Sequence, residues 1–203
     1  MTAPTPHRPR AQKPSKNRDK LVQAASQLMA AQGFAATGTE DIVRAAGITR
    51  GALYYQFEDK GDLFRAVCED QIRRIAMRLS DETMERASCG EEELEIGAQL
   101  LLDYFAEPAI CRILLVDGPA VLGTEAWRAL LQPVVFGLLS HGLEHLVEVG
   151  QLDPIQVDPL AHLLFGSITQ AGLAIGSADD PKQAREVYSR AISELLTGIG
   201  RAR

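Results

Sequence analysis

The chain has 203 residues, 46% of them hydrophobic, and a formal net charge of −6. That length supports a real core in one domain or two small ones, and apolar runs are broken by charge, Gly or Pro short of the ~20 residues a membrane-spanning helix needs. Residues 1–14 hold Arg and Pro but no apolar stretch, so no secretory signal is expected there. Three scattered cysteines, Cys68, Cys89 and Cys111, show no CxxC spacing and fit a reducing cytoplasm rather than a disulfide frame or a zinc site.

The charge is unevenly placed. Residues 1–65 carry ten cations against six acids, a net of +4, which leaves −10 on the remainder. A basic head on an acidic body concentrates attraction for phosphate at one end. The head begins with an arm, residues 1–14, that lacks periodicity and reads as disordered. Arg8, Arg10, Lys13, Lys16 and Arg18 in and beside it could reach a minor groove or neighbouring phosphates, or could only strengthen non-specific attraction.

From Ser15 the pattern turns helical. Leu21, Val22, Ala25, Leu28 and Met29 recur at helical spacing and Gly33 closes the run. A short second helix is expected over Glu40–Ala46, with Ile42 and Val43 apolar and Gly47 ending it. Thr49 is a suitable N-cap for a third, Arg50–Gln56. Lys60 or Gly61 opens a long fourth helix bearing Leu63, Phe64, Val67, Ile75 and Leu79. Further helices are expected near 92–106, 108–116, 124–149, 158–176 and 181–199, with breaks at 88–90, 117–123, 150–154 and 176–181. Pro133 is expected to kink the 124–149 segment or restart it. No sustained alternation marks a strand, and the nearest hairpin signal, Asp117-Gly118, runs into Pro119. The expected class is all-α: an N-terminal three-helix helix-turn-helix domain over 15–62, then a C-terminal helical domain over 63–203.

Helices two and three are separated by Gly47-Ile48-Thr49, the spacing of a helix-turn-helix. Gly47 permits the left-handed turn and Ile48 plugs the angle between the helices. The second helix of such a unit enters the major groove with its N-terminal residues at base edges. Here these are Thr49, Arg50, Gly51, Tyr54 and Tyr55. Arg50 can read guanine O6 and N7 with two hydrogen bonds. Thr49 can donate to phosphate, and Lys60 can offer it a cation. Tyr54 and Tyr55 lie about 100° apart around a helix, so one is expected in the core and one at phosphate.

The segment from Arg18 to Val67 resembles the DNA-binding domain of the tetracycline-repressor (TetR) family. The matching residues are Ala24-Ala25, Gly33-Phe34, Thr37, Glu40-Asp41-Ile42, the run AGITRGALYYQF from Ala46 to Phe57, and Lys60 with Leu63. The resemblance implies a homodimeric transcriptional regulator, most often a repressor, that leaves its operator when a small molecule enters the C-terminal domain. It implies DNA contact by Thr39, Arg50, Gly51, Tyr54, Tyr55 and Lys60. Gly38 stands where Ser or Thr usually caps helix two, and Gln56 and Val43 also depart from the common pattern.

The last two expected helices suit a four-helix bundle with a second copy. Leu164, Ile168, Ala171, Val187, Tyr188, Ala191, Ile192 and Leu195 are the candidate interface residues, which could equally form an intrachain core. A ligand pocket among helices four to seven is implied by the resemblance. Leu79, Met84, Leu101, Tyr104, Phe105, Leu114, Trp127, Leu131 and Phe136 are its candidate lining, with plain core as the alternative for each. The stretch from Asp117 to Trp127 resembles one C-terminal subclass of the family and names no effector. His141 and His145 sit one turn apart, with His162 in another helix, but the sequence is HGLEH rather than HExxH. No metal, cofactor or catalytic residue is expected. Without a P-loop, a GxGxxG after a strand or a GxSxG, an enzyme has no support. The expected function is a cytoplasmic DNA-binding regulator; repression and activation share the same head.

Overall fold

The computed structural model describes residues 16–86 and 90–200. The expected arm, Cys89 and the side chain of Met84 lie outside that description. Among the described residues all regular structure is helical.

The head is α1 (Lys16–Ala36), α2 (Thr39–Ala46), α3 (Arg50–Gln56) and the start of α4 (Lys60–Arg86). Its core is the apolar stripe read from sequence: Leu21, Val22, Ala25 and Met29 of α1 against Ile42, Val43, Leu53, Phe57, Leu63 and Phe64, all buried. The α2–α3 turn is a Schellman closure. Gly47 is left-handed (φ 64°, ψ 36°), its N–H bonds the Arg44 carbonyl and the Ile48 N–H bonds that of Val43. The last turn's carbonyls are thereby satisfied without side chains. Thr49 Oγ1 accepts from the Ala52 N–H at 3.3 Å, the expected N-cap. Gly38 does cap α2, but with no side-chain bond.

Gly33 does not end α1. It breaks the helix at φ 84°, ψ 165°, and a final turn resumes to Ala36. The buried Thr37 hydroxyl donates to the Gly33 carbonyl at 2.7 Å, which replaces a backbone bond lost at the break.

α4 runs unbroken from head to body, across the expected 62/63 boundary. The body centres on α5 (Gly90–Ala106), which packs against α4, α9 (Gly137–Glu148), α10 (Val157–Gly176) and α11 (Pro181–Gly200). A helix surrounded this way must be apolar on most sides: Leu94, Ala98, Leu100, Leu101, Leu102, Tyr104 and Phe105 are all buried.

Between α5 and α9 the chain departs from the expected simple helices. α6 (Pro108–Ile110) passes into a π-helical stretch, Cys111–Asp117, and then α7 (Gly118–Leu122). The expected break over 117–123 thus contracts to Gly123, because Pro119 sits in the first turn of α7, where its missing N–H is not needed. The expected 124–149 helix is three pieces: α8 (Thr124–Leu131), a π-helical turn Gln132–Phe136 that absorbs Pro133, and α9. Contrary to the sequence expectation, Thr124–Glu148 is long and apolar enough by composition to cross a membrane. Here Leu131, Val135, Leu139, Leu143 and Leu146 of that run are in the core.

Two glycines set the closest helix approaches. A Cβ at Gly172 would lie 2.7 Å from Phe105 Cβ and 3.2 Å from its backbone, and one at Gly142 would lie 2.7 Å from Leu94 Cβ. Gly172→Ala and Gly142→Ala are each expected to destabilise the protein by about 1–3 kcal/mol through overpacking, despite alanine's better helix propensity. Urea unfolding would show this as a lower midpoint at unchanged slope.

Candidate nucleic-acid interface and ligand cleft

The exposed end of the head is formed by the first turns of α3. Thr49, Arg50, Gly51, Tyr54 and Tyr55 are all exposed, and Thr39 at the start of α2 is half-buried. Neither tyrosine is core: Tyr54 is 45% and Tyr55 82% exposed. The expectation of one inside fails because Leu53 and Phe57 already fill the inward positions of this short helix. Gly51 has no internal reason to be glycine, since a Cβ there meets nothing within 4 Å.

Arg50 is held rather than free. Its Nη1 donates to Glu40 Oε1 of α2 at 2.9 Å, and its guanidinium lies 5.6 Å from the Tyr54 ring centroid. Glu40 is a site residue that the sequence reading missed. It lies ten positions away on another helix, so no i,i+4 rule could pair it with Arg50.

Lys60 is also placed differently from expectation. Its ammonium turns inward, donating to the carbonyls of Phe34 at 2.9 Å and Thr37 at 3.0 Å, and lies 4.1 Å from the Phe34 ring centroid. Phe34 packs edge-on against Phe64, with centroids 5.1 Å apart. The Phe34 N–H donates to Asp117 Oδ2 of the body at 2.8 Å. Lys60 is therefore a clamp on the end of α1, and its cation is not presented outward.

Of the expected pocket residues, Leu101, Tyr104, Phe105, Leu114, Leu131 and Phe136 are buried core. Tyr104 donates to Glu82 Oε1 at 2.8 Å; burial first, and then Glu82, push its pKa up to about 12. Trp127 Nε1 donates to the Leu114 carbonyl of the π-helical stretch at 2.6 Å, so its polar tip is already used. Of the described residues of that set, Phe136 borders a cleft of about 530 Å³ beside α8 and α10, and Leu79 alone lines the open cleft of about 440 Å³ between α4, α5 and α9. Its other walls include Thr83, Glu93, Val134, Leu138 and His141. Sequence periodicity could not separate a cleft wall from core, because both are apolar helix faces.

His141 Nε2 faces Glu93 Oε2 at 3.4 Å, while His145 and His162 pair with Glu148 and Asp158. The two histidines one turn apart therefore serve different acids.

On the far side, Leu164, Ile168, Ala171 and Ile192 are buried within the chain. These four candidate interface residues belong to the intrachain core. Val187, Ala191 and Leu195 remain exposed and Tyr188 partly so. Leu163, at 66% exposure, joins them as an apolar face that the chain itself leaves uncovered. On α10 Leu163 is exposed while its neighbour Leu164 is buried.

Residues 91–199 match the family model of the tetracyclin repressor-like C-terminal domain, and residues 21–67 that of the bacterial regulatory proteins of the tetR family. The HTH-type transcriptional regulator AcrR of Shigella flexneri is 30% identical over 125 residues, covering 62% of this chain and 50% of AcrR. The HTH-type transcriptional repressor ComR of Escherichia coli is 35% identical over 95 residues, covering 47% of this chain and 42% of ComR. The chain spans about half the length of these curated relatives, or somewhat less. A solved TetR-family transcriptional regulator from Pectobacterium atrosepticum superposes with a TM-score of 0.75 at 28% identity, covering 91% of this chain and 94% of that one. FadR of Bacillus subtilis, solved with stearoyl-CoA, gives 0.72 at 16% identity over 88% and 96% and shares the fold alone.

Lys60→Met is expected to cost about 1–2 kcal/mol of stability by leaving the Thr37 carbonyl unpaired and the Phe34 carbonyl with only the Thr37 N–H. Tyr55→Ala should stay within about 0.5 kcal/mol of the parent. Chemical denaturation of both variants checks the contrast, and equal effects would remove the clamp role.

Proposed function

Because the chain belongs to the TetR family of bacterial regulatory proteins, we propose that it is a cytoplasmic transcriptional repressor that binds operator DNA as a homodimer and is released by a small-molecule effector. The observation that carries the reading is the exposed set Thr49, Arg50, Gly51 and Tyr54 at the N-terminal end of α3. Apart from the Thr49 cap, these residues serve little in folding, and the set matches what a recognition helix presents to a major groove. Arg50 is the base reader, held by Glu40 and Tyr54. Thr39, Thr49, Tyr54 and Tyr55 position the helix on phosphates, and the missing Cβ of Gly51 lets the backbone come close.

A single head reads one half-site, so two heads must stand about 34–36 Å apart, or at a related spacing, to reach successive grooves. The uncovered face of Leu163, Val187, Ala191 and Leu195 supports a second copy at the body end. The cleft along α4 supports the release step, because α4 carries both the cleft wall Leu79 and the head clamp Lys60. An effector that prefers a different tilt of α4 shifts the spacing of the heads, provided its affinities for the two states differ. Spin labels on the two heads test this. Release of DNA with the inter-head distance unchanged would exclude the tilt mechanism.

Gly51→Ala separates folding from recognition. It should raise stability by about 0.5–1 kcal/mol, as alanine does in an open helix position, while weakening operator binding. Arg50→Ala should cost about 1–3 kcal/mol at the operator and relax base preference. Fluorescence anisotropy on DNA flanking the gene, over a salt series, measures both. Equal binding to operator and random DNA by the parent protein would defeat the proposal.

A further inference from the structure

We infer that the cleft between α4, α5 and α9 takes a compact apolar molecule with one cationic, hydrogen-bond-donating head, such as a protonated amine. This rests on the effector reading of that cleft. Its volume of about 440 Å³ lies in the range of small-molecule sites. The body of the ligand would lie against Leu79, Val134 and Leu138, with Pro133 closing the end.

The head is specified by two groups, one that folding leaves without a partner and one that it pairs only at long range. Thr83 lines the cleft at 8% exposure, and its hydroxyl has no hydrogen-bond partner. A helical threonine commonly bonds the carbonyl one turn back; Thr83 does not, so its oxygen is left for a group from outside the chain. The Glu93 carboxylate is the second group. Its side chain is only 38% exposed, and its one ion-pair partner is His141, at 3.4 Å with a side chain 73% exposed. A carboxylate has room for several donors, and His141 meets it at a long distance.

The surrounding charge selects the sign of the head. Asp81 and Glu85 share the end of α4 with Arg86, Glu82 accepts from Tyr104 and Glu95 turns to Ser193 of α11, so Glu93 is the carboxylate that lines the cleft. Of the cations nearby, Arg78 faces Glu82 at 3.7 Å and Glu107 at 3.8 Å and lies 4.6 Å from the Tyr104 ring centroid. An anionic head would meet the Glu93 carboxylate, whereas an ammonium pairs with it. It also brings three donors, enough for Glu93 and Thr83 together.

The test uses three probes with one body and different heads: 4-phenylbutylamine, 4-phenylbutanol and 4-phenylbutyrate. Each is titrated calorimetrically into the full chain and into Glu93→Gln and Thr83→Val. The amine should bind about tenfold tighter than the alcohol, the scale of one charge-assisted hydrogen bond, and the acid weakest. Glu93→Gln should close most of the amine–alcohol gap, and Thr83→Val should weaken amine and alcohol alike. The inference is overturned if the acid matches the amine, if Glu93→Gln leaves the gap intact, or if no probe binds. The same probes are then added to the protein–operator complex. An amine that binds through Glu93 without loosening DNA upholds the ligand class and overturns the effector reading instead.

Discussion

The end of α1 leaves backbone groups that the helix itself cannot satisfy, as every helix end does, and the way they are satisfied ties the molecule together. The Gly33 carbonyl takes the Thr37 hydroxyl, the Phe34 and Thr37 carbonyls take the Lys60 ammonium, and the Phe34 N–H gives to Asp117. Each group would be costly to bury unpaired. Together they join α1, the start of α4 and the π-helical stretch Cys111–Asp117 in one knot. The head is fastened to the body here, through the start of α4 on one side and Asp117 on the other.

The recognition end is built on the opposite principle. The head core needs only Leu53 from α3 and Phe57 at its C-cap, which frees the rest of that short helix for outward-facing groups. An exposed aromatic such as Tyr55 and an unforced glycine such as Gly51 do nothing for the fold. The Glu40–Arg50 pair is worth little to stability in the open, but it fixes the direction of the guanidinium. The cation on this face is thus oriented before any partner arrives, whereas Lys60 is spent on the knot.

In the body, irregular helix turns solve a packing problem. The π-helical stretch 111–117 offers the Leu114 carbonyl to Trp127, and the one at 132–136 accommodates Pro133 without breaking the run. The large aromatic and leucine side chains are consumed in the core around α5. One open space lies along α4, where smaller and polar residues such as Ala76, Ser80 and Thr83 face Val134 and Leu138.

Much of this was legible in the residues themselves. The period of Leu21 to Met29, the Gly47 turn, the Thr49 cap and the run from Ala46 to Phe57 are local signals, and local backbone geometry answers to them directly. The all-α class and the helix-turn-helix followed, as did the near-correct limits of α5, α10 and α11. Tertiary structure decided what depends on which apolar face meets which neighbour. It turned Tyr54 outward, sent Lys60 inward, paired Arg50 with Glu40, buried Leu164 and Ile168 while exposing Leu163, and opened a cleft at Thr83 and Glu93. The physical reason is common to all of these. Hydrophobicity and spacing say that a face will be covered, but what covers it, and which polar groups are left without a partner, is set by residues distant in the chain.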